Sequence, residues 1–121
     1  MPERILICGD RYWRSLPSVE RELAVVMAAH EVECVIEGEC RGADVMGRLA
    51  ARKLGVEVKP FPADWSRFGK AAGPIRNQQM LDEGKPTMVL AFHARLWESS
   101  GTADMIRRAQ RLRLSVTLVT T

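Results

Sequence analysis

Hydrophobic positions along this chain follow two alternating patterns. Short apolar runs rich in Val, Ile and Leu occur at Arg4–Cys8, Glu33–Ile36, Val56–Phe61, Thr87–Phe92 and Leu114–Val119. Such runs suit strands covered on both faces. Between them, apolar residues return every three or four positions, the spacing of amphipathic helices. One helix is expected from Pro17 and Ser18, with Val19, Leu23, Val26, Met27 and His30 on one face. A second spans Ala43–Leu54, with Met46, Leu49, Ala50 and Leu54 close together and Gly55 at its C-terminal cap. A third runs from Pro74, a first-turn residue, to about Glu83 and is closed by Gly84-Lys85-Pro86. The last covers Thr102–Arg113. Pro60 and Pro62 place the third strand at a sheet edge, and Ala63–Gly73 reads as a long polar loop.

Strand alternating with helix predicts an α/β fold. The expected form is a single Rossmann-like three-layer domain over residues 1–121, with about five parallel strands and helices on both faces. The chain's 121 residues suit one core better than two. No apolar run approaches the ~20 residues of a membrane-spanning helix, and the N-terminus lacks a signal-peptide pattern. The three cysteines, Cys8, Cys34 and Cys40, are an odd count without close spacing. Disulfide and zinc frameworks are therefore not expected, and reduced thiols point to the cytoplasm. A net charge of +3 suits an anionic ligand but falls short of a dedicated polybasic nucleic-acid module. No metal and no cofactor is called for.

In an open parallel sheet, ligands bind beyond the carboxyl ends of the strands. Four segments there carry candidate chemistry. After the first strand, Gly9 permits close backbone approach, Asp10 and Arg11 are polar, and Tyr12 or Trp13 can stack on a base or pack inward. After the second, Gly38 and Gly42 flank Arg41 at a strand-to-helix junction, where helix N–H groups can hold phosphate. Asp44 there suits a helix cap better than catalysis. After the third come Asp64 and Trp65, then Arg76 and Asn77 in a first helical turn. After the fourth, Gly101 and Thr102 open the last helix, while His93 has no fixed partner in sequence. Arg107, Arg108, Arg111 and Arg113 read as a solvated helix face.

No single turn is diagnostic, but their order is. Cys8-Gly9-Asp10-Arg11-Tyr12-Trp13, Gly38 with Arg41-Gly42-Ala43-Asp44, Pro62-Ala63-Asp64-Trp65, Gly69 through Asn77, and Gly101-Thr102-Ala103-Asp104-Met105 occur in series. This series resembles the YspA/cpYpsA-related branch of the SLOG superfamily, a group common in bacteria and their phages. The resemblance implies a Rossmann-like fold related to LOG phosphoribohydrolases and DprA proteins, and a nucleotide-derived ligand. It also implies possible homodimers. LOG enzymes carry Pro-Gly-Gly-x-Gly-Thr-x-x-Glu; here the glutamate position is Met105, which can transfer no proton. Glu39 would repel a phosphate unless it points away or meets a metal.

The expected function is binding of a nucleotide or nucleotide-derived, phosphate-bearing small molecule by a sensor or sequestering domain. One alternative is a nucleoside-monophosphate phosphoribohydrolase. A second is DprA-like single-stranded nucleic-acid binding through Trp13, Trp65 and the arginines of the last helix.

Overall fold

A computed structural model describes residues 2–121. Five strands, β1 (Glu3–Gly9), β2 (Val32–Glu37), β3 (Glu57–Pro60), β4 (Met88–Phe92) and β5 (Ser115–Val119), form one sheet in the order β3-β2-β1-β4-β5. Every pairing is parallel. The fold is the expected α/β Rossmann-like sheet. β3, with its prolines, lies at one edge, and β4 lies inside. The chain builds outward from β1 through β2 to β3, then crosses back to β4 on the other side of β1. That reversal opens a crevice between the carboxyl ends of β1 and β4.

Strand alternation distributes the apolar side chains between two layers. Ile5, Ile7, Val35, Leu90 and Phe92 face one way, onto Val19, Leu23 and Val26 of α1 (Leu16–Ala29) and the small Ala43, Ala50 and Ala51 of α2 (Ala43–Lys53). Leu6, Cys8, Cys34, Ile36, Val89 and Ala91 face the other way. They meet Met80 and Leu81 of α4 (Ala72–Gly84) and Met105, Ile106 and Ala109 of α5 (Gly101–Arg111). Full burial of each larger aliphatic or aromatic side chain contributes about 1.5–3 kcal/mol. Both faces of the central strands are thereby covered, which accounts for their unbroken apolar runs.

Element ends differ from the sequence expectation by one or two residues at several places, and three differences have a clear local reason. α1 begins at Leu16 because the Ser15 side chain accepts the Ser18 N–H at 3.2 Å and caps the helix just ahead of Pro17. α4 begins at Ala72 rather than Pro74. Proline fits anywhere in a first turn, because those N–H groups have no partner within the helix. The segment read as loop contains a one-turn helix, α3 (Trp65–Phe68), capped by Asp64 Oδ1, which accepts the Arg67 N–H at 3.1 Å. His30 does not join the buried face of α1; it is exposed at the C-terminal cap. Among the described residues no helix is long and apolar enough to cross a membrane.

Candidate functional site

The reversal crevice is a cleft of about 670 Å³. It takes Gly9, Asp10 and Arg11 from the β1 turn, Asp44 from α2, Trp65 from α3, Arg76 and Asn77 from α4, and Gly101 and Thr102 from α5. Nine of the fourteen candidate residues therefore meet there. Trp13, Gly38, Arg41, Gly42 and Asp64 are not among its lining residues.

Each of those five has a physical reason for its place. Trp13 is 9% exposed, packs against Phe92 at 5.6 Å between ring centroids, and donates its indole N–H to Ser18 Oγ at 3.1 Å. Gly42 has φ 75°, and a Cβ there would lie 2.2 Å from the Asp10 carbonyl oxygen. The Ala43 N–H, at the start of α2, donates to that same carbonyl at 3.1 Å. Gly38 lies against the Arg76 guanidinium, which donates to the Gly38 carbonyl at 2.7 Å. The glycines of the β2 turn thus admit protein atoms. Arg41 and Gly42, with Tyr12 and Trp13, line a separate shallow recess of about 350 Å³. Asp64 serves α3 as its cap. Glu39 is not among the residues that line the cleft, and its carboxylate lies 3.8 Å from Arg48.

Of the five buried polar residues that line the cleft, Arg76, Asn77, Asp44, His93 and Thr102, the first three make most of its side-chain hydrogen bonds. Arg76 is 8% exposed and donates Nε–H to Asn77 Oδ1 at 3.2 Å. Its Nη2 has no partner among the described residues. Asn77 in turn donates to Asp104 at 3.0 Å and to the Gly101 carbonyl at 3.3 Å, fastening α4 to the start of α5. Burial alone would raise the Asp104 carboxyl, but hydrogen bonds from Arg108 and Asn77 outweigh it and hold the group below its ordinary range. Asp44 is the third. Its Oδ2 accepts N–H bonds from Gly38 at 3.1 Å and Cys40 at 3.4 Å. Burial pushes its pKa up to about 7, although the Arg76 charge and the two N–H bonds act in the opposite direction.

The rim is more open. Arg11, Lys70 and Arg107 bring positive charge, and the exposed rings of Tyr12 and Trp65 bring aromatic surface. The α5 turn, Ser99–Thr102, lines one side; Ser99 Oγ accepts the Thr102 N–H at 2.9 Å. A Cβ at Gly101 would meet nothing within 4 Å, so this turn has free space beside it. His93 is buried on the cleft wall, its Nδ1 accepting the Arg95 N–H at 3.0 Å. Met105, at the position of the LOG glutamate, is 1% exposed and packs in the core beneath the cleft.

Lys70 and Arg107 were not singled out as site residues from the sequence. Arg107 had a usable signal: it lies three residues after Asp104 and seven after Ser100, on one face of α5. Lys70 gave none, because its position depends on how the 63–73 segment folds. Among the described residues, no cluster of three or more His, Cys, Asp or Glu side chains is placed to hold a metal.

The model of the YspA, cpYpsA-related SLOG family matches residues 3–68, from β1 through α3. The chain belongs to this family. A protein described as Gene 61 protein, from Mycobacterium phage D29, is 36% identical over 119 residues and covers 93% of each chain. This similarity extends beyond the family match to α4 and α5, which supply Arg76, Asn77 and Thr102. No solved structure matches the chain.

Proposed function

We propose that this SLOG-family chain binds a nucleotide or nucleotide-derived, phosphate-bearing ligand in the reversal cleft, as a sensor or sequestering domain. The observation that carries this reading is the composition of that one cleft. Buried Arg76 and rim residues Arg11, Lys70 and Arg107 offer charge-assisted donors, while Tyr12 and Trp65 offer faces on which a base can stack. The starts of α4 and α5 border the same space, adding the partial positive charge of two helix termini. The phosphoribohydrolase reading has less support, because the buried thioether of Met105 can neither carry a proton nor stabilise a cation. The nucleic-acid reading loses Trp13 to the core.

Titration calorimetry with AMP, ADP-ribose and cyclic nucleotides tests the proposal. Binding of at least one is expected, weakened roughly tenfold or more by Arg107→Ala, the cost of losing a hydrogen bond to a charged group. No heat from any of them at millimolar concentration overturns it.

A further inference from the structure

Of the four carboxylates that line the cleft, Asp10, Asp44, Glu98 and Asp104, only Asp44 is buried, and that burial calls for an explanation. Asp44 is 5% exposed, lines the cleft, and belongs to no ion pair within 4.0 Å among the described residues. Both of its protein hydrogen bonds, from the Gly38 and Cys40 N–H groups, end on Oδ2. Among the described residues Oδ1 has no hydrogen-bond partner, and it is not among the fully buried unpartnered atoms, so it reaches the cleft that Asp44 lines.

We propose that Asp44 acts in its neutral form, donating a hydrogen bond from Oδ1 to an anionic oxygen of the ligand, so that the anion binds together with one proton. Two backbone donors occupy the Oδ2 lone pairs, so the proton of the neutral acid resides on Oδ1, facing the cleft. An ionised Asp44 would repel a phosphate, whereas the neutral acid adds a donor beside the Arg76 guanidinium. The groups that act on Asp44 from neighbouring elements are Arg76 on α4, which favours its ionised form, and Glu37 on β2, which opposes it. Cys8 on β1 is a buried thiol whose pKa is pushed up and therefore stays neutral beside it. His93 lies on the β4 side of the same cleft. Burial already brings Asp44 to a pKa of about 7, and the bound anion raises it well beyond that, because only the neutral acid can donate to it. The inference rests on the ligand-binding reading above, and it adds a proton to that equilibrium.

The test is calorimetry with AMP between pH 7.5 and 9, where the phosphate is already a dianion, repeated in buffers of different ionisation enthalpy. The wild type should take up a proton on binding, approaching one per AMP. Its affinity should fall by roughly tenfold per pH unit above the Asp44 pKa. Asp44→Asn keeps an acceptor for the two backbone N–H groups and offers an amide donor where the acid proton would be. This variant should take up no proton, show a flat affinity over the range, and bind AMP more tightly than wild type at pH 9. Wild-type binding without proton uptake overturns the inference and leaves the ligand-binding reading standing. Uptake that persists in Asp44→Asn also overturns it, by assigning the proton elsewhere. If AMP binds neither protein at any pH, the inference falls, and the ligand-binding reading is decided by ADP-ribose and the cyclic nucleotides. Should Asp44→Asn not fold, the wild-type proton count decides alone.

Discussion

The turn from β2 into α2 and the turn from β4 into α5 both place glycine where a buried strand gives way to a helix, Gly38 and Gly42 in the first and Gly101 in the second. Their surroundings in the fold are different. In the first, the space that glycine creates is filled by protein. Gly42 lies against the Asp10 carbonyl, Gly38 lies under Arg76, and the Ala43 N–H bonds back to the β1 turn. In the second, nothing approaches the position where a Cβ at Gly101 would sit, and Ser99 through Thr102 border the cleft. A glycine at a strand-to-helix junction signals that something comes close. Spacing does not reveal whether that something is a ligand or the neighbouring turn, because the neighbour comes from a distant part of the chain.

The widest gap between the two turns should appear on adding one methyl group to each. Gly42→Ala forces a side chain into a positive-φ position and against a carbonyl oxygen 2.2 Å away. It should destabilise by roughly 3 kcal/mol or more, as expected when strain and a backbone clash combine. Gly101→Ala should change stability by no more than about 0.5 kcal/mol, as at most surface sites. Urea denaturation of the two variants checks this. Equal losses would show that the turns do not differ in packing as described.

Asp44 gives the packed turn a pH dependence that the open turn lacks. Burial raises its carboxyl from 3.8 to about 7, so the folded chain holds this proton over a range where the unfolded chain has released it. Folding therefore loses stability as pH rises from about 4 toward 7, and the loss levels off above that. Between pH 5 and pH 8 the wild type should lose about 2–3 kcal/mol relative to Asp44→Asn. Thermal melts of both proteins across that range provide the measurement. Parallel pH profiles would remove the burial argument. The profile of a Ser99→Ala variant should run parallel to wild type, because no titrating group changes.

Much of the fold was legible because its signals are local. The strands were found from apolar runs, the edge position of β3 from Pro60 and Pro62, and the two-sided cover from strands such as Thr87–Phe92. Asp10, Arg11, Arg76, Asn77 and Thr102 were placed in the cleft on similar grounds, since each lies just beyond a strand end or at a helix start. What stayed hidden depends on contacts across the chain. Trp13 carries the same composition signal whether it stacks on a base or on Phe92, and only the fold brings Phe92 beside it. Asp64 and Asp44 both sit near helix starts. Only tertiary burial separates a solvent-exposed cap from an acid on a cleft floor.

The smallest effect concerns the cap of the open turn. Ser99 Oγ accepts the Thr102 N–H at 2.9 Å, so α5 has one of its terminal donors satisfied before any ligand arrives. Ser99→Ala removes that acceptor and should cost about 1 kcal/mol, the usual value of a capping side chain. The cost should shrink when the cleft is occupied, because an anionic oxygen near Thr102 can take over the vacated N–H. Thermal melts of Ser99→Ala and wild type, with and without saturating AMP, would show the two proteins drawing together as ligand is added. A deficit that AMP leaves unchanged would mean the ligand does not reach this end of α5. The open turn would then differ from the packed one in empty space alone, and the anion would have to be held by the arginines across the cleft.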